Sequence, residues 1–260
     1  MIDLHSHVLP GLDDGPSAIE GSLVLARLAV ERGTRTMVAT PHIRDDHPFP
    51  LAQIGERARA LRSALSEAEI DLKIETGGEV AISKAGELTD EALVSLCLGS
   101  GPFVLVESPY TFAPQLLEAV LFDLQARGFR PILAHPERSP SFLSDPARLA
   151  RICEGGVLCS VTALSMTGGF GETVRRFSAR LFADGLVHGV ASDAHDGHRR
   201  PPGLAAGFEQ LDAELPGLAQ QASWFTVEAP RAILAGKELP TAPRPAAEAP
   251  RGLRRLLGRR

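Results

Sequence analysis

Short apolar runs alternate with longer stretches of helical period along most of this chain. Residues 2–4, 36–40, 71–76, 103–106, 131–134, 157–161 and 188–191 read as strands, being short, apolar or alternating, and often β-branched. Residues 19–32, 51–69, 114–127, 145–154 and 172–184 read as helices, with weaker helical patterns over 204–215 and 229–234. Ser17 is the expected N-cap of the first helix, with Glu20 three residues on as its capping-box partner. Gly33, Gly128 and Gly185 mark helix ends. Strands alternating with helices predict an α/β fold with a parallel sheet under helical cover. About seven strands within roughly 230 residues favour a closed or nearly closed β/α barrel, a single domain over residues 1–235. From residue 236 the sequence changes to GKELPTAPRPAAEAPRGLRRLLGRR, which predicts a disordered, basic tail over 236–260. Such a tail is a solvated segment or a weak contact for a membrane or partner.

Composition narrows the class. The 260 residues are 44% apolar and 23% charged, an ordinary globular balance that excludes a fibrous or disordered chain. A net charge of −5 gives no electrostatic reason to bind nucleic acid. The three cysteines, Cys97, Cys153 and Cys159, argue against a disulfide framework and fit a reducing cytoplasm. The start, MIDLHSHVLPG, lacks the pattern of a secretory leader, and no uncharged stretch supplies the roughly 20 apolar residues of a membrane span. The expectation is a soluble, cytoplasmic protein.

The eight histidines are not scattered. His5 and His7 follow the first predicted strand, with Asp13 and Asp14 in the turn GLDDG; His42 follows the second. Glu79 and Glu107 follow the third and fourth, His135 the fifth, and Asp193 and His195 the last. Only the strand over 157–161 delivers no such residue. The C-terminal rim of a β/α barrel is where its sites are built. Mixed imidazole and carboxylate ligands without thiolate suit Mn, Zn or Fe(II), with oxygen-rich sites leaning to Mn or Mg. His5, His7, Asp14, His42, Glu79, Glu107, His135, Asp193 and His195 exceed what one ion uses, so full participation requires two or three ions. Arg138, Arg199 and Arg200 lie close by in sequence, and guanidinium groups suit bidentate phosphate capture. No cysteine has an arginine six residues on and no GxxxxGK[ST] loop is present, so any phosphatase activity must run through metal.

The segments MIDLHSHVLPGLDDGP, VATPH, GGEV, VLVE, AHPER and ASDAH, in this order, resemble the PHP (polymerase and histidinol phosphatase) superfamily, and within it the bacterial CpsB-type capsule and exopolysaccharide tyrosine-protein phosphatases. The resemblance implies a distorted seven-stranded β/α barrel with three divalent metal ions, often Mn, with Zn, Fe or Mg as alternatives. It implies that His5, His7, Glu79 and Asp193 serve one ion, that Glu79 bridges to a second completed by Glu107 and His135, and that Asp14, His42 and His195 hold the third. Arg138 and Arg200 would bind phosphate. Apart from the resemblance, Asp3 and Asp13 are candidates either to orient ligating imidazoles from behind or for simple turn or barrel hydrogen bonding. The implied function is a metal-dependent protein-tyrosine phosphatase acting on a bacterial tyrosine autokinase that controls polysaccharide synthesis. The alternatives are another PHP phosphoesterase, for histidinol phosphate or a nucleotide, and a non-catalytic metal-binding regulator of polysaccharide export. After ASDAH the chain departs from the pattern: Asp196 stands where Asn is expected, and His198 and Arg199 are unusual.

Overall fold

The computed structural model describes residues 1–108 and 114–244, with the side chains of residues 114 and 115 left aside. Nine strand segments are present among them: β1 (Ile2–Ser6), β2 (Thr36–Ala39), β3 (His42–Ile43), β4 (Lys73–Thr76), β5 (Glu79–Ala81), β6 (Phe103–Glu107), β7 (Arg130–Ala134), β8 (Leu158–Thr162) and β9 (Gly189–Ala191). All pair in parallel, in the orders β1-β2-β4 and β3-β5-β6-β7-β8-β9.

The two sheets are one barrel with breaks. Gly77 N donates to Ala39 O at 3.0 Å and Glu79 N to Pro41 O at 3.1 Å, so β2/β3 and β4/β5 are each one interrupted strand. The second break sits at Gly77–Gly78, where a Cβ would lie 2.6 Å from Leu98 Cδ2 or 2.7 Å from Leu96 Cδ2. On the far side, His7 N donates to Ala194 O and Asp193 N to His5 O, both at 2.9 Å, which closes β9 onto β1. Seven strand positions therefore close into the expected distorted barrel. β3 and β5, only two and three residues long, are the segments the hydrophobic pattern did not predict.

Alternation places the core. Phe103 and Leu105 of β6, Ile132 and Ala134 of β7, Leu4 and Val38 form an inner cluster, joined by Ile233 from the helix Ala229–Leu234. Val104, Val106, Leu133, Cys159 and Val161 point outward into a larger layer beneath the helices. The predicted helices are present as Ile19–Glu31, Ala52–Glu67, Pro114–Ala126, Pro146–Glu154, Glu172–Ala183, Ala205–Asp212 and Ala229–Leu234. Ser17 is not the N-cap of the first. The helix begins at Ile19 as expected, and its N-cap is Ala18, in extended backbone with no side-chain cap. Asp90–Leu96 is a helix the sequence pattern had left unassigned, capped by Thr89 Oγ1, which accepts from Ala92 N at 3.3 Å.

Past residue 235, Glu238 pairs with Arg130 at 2.7 Å and Leu239 packs on the core; the remainder of the expected tail, residues 245–260, lies outside the described residues. The cysteines are free thiols, but Cys153 and Cys159 are brought face to face, Sγ to Sγ 3.3 Å, by the turn from Pro146–Glu154 into β8. No helix among the described residues is long and apolar enough to cross a membrane.

Candidate metal centre and active site

The nine predicted ligands converge at one end of the barrel, although not all from beyond the strand ends. His5 lies within β1, His42 opens β3, Glu79 opens β5 and Glu107 closes β6. β1 and β6 extend past their apolar runs, so polar residues occupy their last inward positions, while His42 and Glu79 begin the short segments that follow the breaks. On β6, Phe103 and Leu105 fill the barrel below and Glu107 continues upward. His7 and Asp14 follow β1, His135 follows β7, and Asp193 and His195 follow β9. Gly15 holds the Asp13–Asp14 turn against β1; a Cβ there would lie 2.2 Å from His7 O. His135 and Asp193 both adopt left-handed backbone, at φ 35° and 53°. That costs of order 1–3 kcal/mol per residue and is the kind of strain that functional sites retain.

Glu79 is the hub. Its Oε2 lies 3.3 Å from His5 Nε2, 3.4 Å from His7 Nε2 and 2.8 Å from His42 Nδ1, while Oε1 lies 2.8 Å from His135 Nε2. Asp193 Oδ1 is 3.4 Å from the Nε2 atoms of both His5 and His7. Glu107 approaches His42 and His135 at 4.0 Å each. At the open side, Asp14 Oδ1 lies 3.5 Å from His42 Nε2 and 3.1 Å from His195 Nε2. Asp14 is half exposed, and the other eight are buried.

The donor atoms group into four overlapping sets, each within 4.8 Å: His7, Asp14, His42 and His195; His5, His7 and Asp193; His5, Glu79 and His135; and His42, Glu79 and Glu107. These residues fit divalent metal on two grounds. Despite their short contacts, buried His42 Nδ1, Glu79 Oε2, Asp193 Oδ1 and His195 Nε2 make no hydrogen bond of good geometry among the described residues. An unsatisfied buried polar atom costs about 1–3 kcal/mol, and a shared cation satisfies several at once. The donors are also all imidazole or carboxylate, the set that suits Mn, Zn or Fe.

The electrostatics agree. Burial favours neutral Glu79, yet His5, His135 and His42 hold it well below the usual carboxylate range. Asp193, also opposed by burial, is held low by His5, His7, His135 and Arg138. Glu107 is pushed up to about 7 by burial and by Glu79. Burial and Arg138 bring His135 down to about 4, which leaves its imidazole neutral and available as a ligand.

Supporting residues fix the ligands. Asp13 Oδ2 lies 2.6 Å from His7 Nδ1 and accepts His42 N–H at 3.0 Å, so it directs His7 Nε2 into the cluster. Asp3 follows the second of its two expected readings, barrel hydrogen bonding. It accepts from Ser192 N at 2.9 Å and Ser192 Oγ at 2.5 Å, bracing β1 against the chain leaving β9 rather than orienting an imidazole. Asp13→Asn is expected to leave the fold intact by circular dichroism and to weaken metal binding by about 10- to 100-fold in calorimetric titration. An unchanged affinity would remove Asp13 from the site.

Both predicted arginines reach the cluster. Arg138 Nη1 donates to Asp193 Oδ2 at 2.6 Å, and Arg200 Nη2 donates to the same oxygen. Asp193 thus offers one oxygen to the histidines and the other to two guanidinium groups. The residues after ASDAH form a turn in which Asp196 Oδ1 accepts from His198 N at 2.7 Å and Arg199 N at 2.6 Å. His195 N donates to Arg200 O at 2.9 Å and closes it. A carboxylate at 196 supports that turn as an asparagine oxygen would. Two residues escaped the sequence reading. Arg44 lies 3.8 Å from Glu107 Oε2, two residues after His42. Buried Glu137 accepts from Thr162 N at 3.0 Å and Ser165 Oγ at 2.6 Å, so it ties the turn carrying Arg138 to the end of β8. The HPER motif contained that signal, overshadowed by its neighbours.

Comparison with known proteins identifies the arrangement. A family model described as capsular polysaccharide synthesis, CpsB/CapC, matches residues 1–234. Tyrosine-protein phosphatase YwqE of Bacillus subtilis is 36% identical over 197 residues, 75% of this chain and 78% of that protein. Tyrosine-protein phosphatase CpsB of Streptococcus pneumoniae is 29% identical over 240 residues, 90% of this chain and 98% of that one. A crystal structure from work on those two proteins, described as metal-dependent tyrosine phosphatases, superposes with a TM-score of 0.84 at 31% identity, covering 96% of this chain and all of the other. The chain belongs to the CpsB/CapC family of capsular polysaccharide synthesis proteins.

Proposed function

We propose that this protein is a metal-dependent protein-tyrosine phosphatase that acts in capsular or extracellular polysaccharide synthesis, in the cytoplasm, on a phosphotyrosine-bearing bacterial tyrosine kinase. The observation that carries the reading is the convergence of nine imidazole and carboxylate ligands on a barrel end where two arginines share Asp193. Three divalent ions, Mn by preference and Zn, Fe or Mg otherwise, match the ligand number. His5, His7, Glu79 and Asp193 would hold one ion; Glu79, Glu107 and His135 a second; Asp14, His42 and His195 the third. His7 also lies within reach of the third set, and His5 within reach of the second. Bound ions supply Lewis acidity, activating water and neutralising charge at the phosphoryl group.

The chain's own residues do the rest. Arg138 and Arg200 bind non-bridging phosphate oxygens and neutralise the charge that develops there. Asp193 Oδ2 holds both guanidinium groups over the same point. Asp13 and the Asp193 backbone carbonyl, the latter 2.9 Å from His195 Nδ1, keep the ligating nitrogens of His7 and His195 turned inward. Tyrosine is a good leaving group, with a phenol pKa of about 10, so it needs less protonation than an alkyl alcohol.

Arg138→Ala is expected to lower kcat/KM for a phosphotyrosyl peptide by about 100-fold, by analogy with losing one transition-state donor. Unchanged kcat and KM would refute its phosphate role. The function itself is tested by comparing turnover of a phosphotyrosyl peptide, histidinol phosphate and dinucleotides by the metal-loaded protein. Preference for the peptide supports the proposal. Preference for either small substrate places the protein in another PHP activity, and no turnover of any favours a non-catalytic regulator.

A further inference from the structure

β8 is the one strand position that sends no ligand to the cluster; it leads instead into a glycine-hinged loop bearing one aromatic ring. After β8 and the short helix Ala163–Met166, the chain runs through Gly168 (φ 85°), Gly169, Phe170 and Gly171 (φ 92°). A Cβ on Gly169 would lie 2.4 Å from Leu164 Cγ, so the loop is folded tightly on its own helix. Phe170 is half buried and belongs to neither apolar core cluster of the described residues. Its ring lies against the Arg138 guanidinium, 4.7 Å from carbon to ring centroid. Consecutive residues of the turn Pro136–Arg138 clasp this one segment: Glu137 bonds Thr162 and Ser165 at its root, and the Arg138 guanidinium carbon lies over the Phe170 ring at its tip.

Taking the phosphatase reading as given, we infer that Phe170 is a positioning residue for phosphate capture, setting the plane of the Arg138 guanidinium. A guanidinium binds phosphate through its edge, so its usefulness depends on where that edge points. The Asp193 contact restrains Arg138 within its plane, and the ring restrains the plane itself, on a face shielded from water. An aromatic residue serves this purpose and an aliphatic one of similar size does not, because the attraction is between cation and π-face.

The test is a set of variants in metal-loaded, full-length protein, with folding checked by thermal melting. Phe170→Ala is expected to lower kcat/KM for a phosphotyrosyl peptide about five- to twentyfold. Phe170→Tyr should recover most of the loss and Phe170→Leu little of it. In an Arg138→Ala background, Phe170→Ala should cost less than about twofold more, since the residue it positions is gone. Wild-type rates in Phe170→Ala, rescue by Leu equal to that by Tyr, or full additivity with Arg138→Ala would each overturn the inference. Calorimetric binding of inorganic phosphate to the same variants separates the two readings. If wild type fails on the peptide, the substrate reading fails. Weaker phosphate binding in Phe170→Ala, absent in the Arg138→Ala background, would still uphold the positioning role, and unchanged phosphate binding would end it.

Discussion

Glu79→Gln is expected to leave a folded barrel that has lost metal and roughly a thousandfold or more of its turnover, about 4 kcal/mol of transition-state stabilisation. Glutamine matches the shape of the side chain, so the packing beneath it should persist. What disappears is charge at the point where four imidazoles converge at 2.8–3.4 Å. Glu79 is fully buried and is held ionised there by His5, His135 and His42. The neutral amide offers one weak acceptor to a cation and turns a donor towards the histidines. Because Glu79 belongs to two of the four donor groups, its loss damages more than one site at once. The measurement is metal content by elemental analysis alongside peptide turnover. Full occupancy with turnover within tenfold of wild type would show that Glu79 is not the hub.

Stripping metal is expected to lower the melting temperature markedly as well as abolish activity. A ligand present at 1,000 times its Kd stabilises the folded state by about 4 kcal/mol per site. For a domain of this size each kcal/mol moves Tm by roughly 2–4 °C, so even one tightly held ion should raise Tm by about 10 °C. Glu107 adds a pH dependence. Burial and Glu79 place its folded pKa at about 7, above that of an unfolded glutamate. Glu107's own contribution to apo stability is therefore lost as pH rises from roughly 4.5 through 7, while His135, brought down to about 4, contributes with the opposite sign below about pH 6.5. Metal displaces this proton and those of His7 and His42, whose imidazoles, against the effect of burial, are held above their ordinary pKa by neighbouring carboxylates, so metal affinity should rise with pH through that window. Scanning calorimetry with and without chelator, across that range, checks both statements. A chelator-treated sample that melts with the loaded one at all pH values would contradict them.

Much of this site is legible in the chain because barrel topology turns sequence position into spatial position. A residue near the C-terminal end of any strand lies near the end of every other. Histidines and carboxylates 190 residues apart, such as His5 and His195, could thus be read as one constellation. Three kinds of feature stayed hidden for physical reasons. β3 and β5 are too short for a periodic pattern, and their first residues are His42 and Glu79 rather than apolar side chains. Ala18, in extended backbone, takes the N-cap position that local preference gives to Ser17, because tertiary placement overrides propensity. The Phe170 contact with Arg138, the Glu137 anchor and the facing thiols of Cys153 and Cys159 depend on side chains meeting across the fold. Among them only Glu137 lay inside a recognisable motif.

The central claim, that the ligand cluster makes this chain a metal-dependent tyrosine phosphatase, is tested most directly by phosphotyrosyl-peptide hydrolysis after chelation and stepwise readdition of Mn, Zn and Mg. Activity should be absent in the stripped protein and return with added metal, most strongly with Mn, reaching its plateau only after more than one ion per chain is bound. Hydrolysis at the full rate by the stripped protein, or metal binding that restores none, would contradict it.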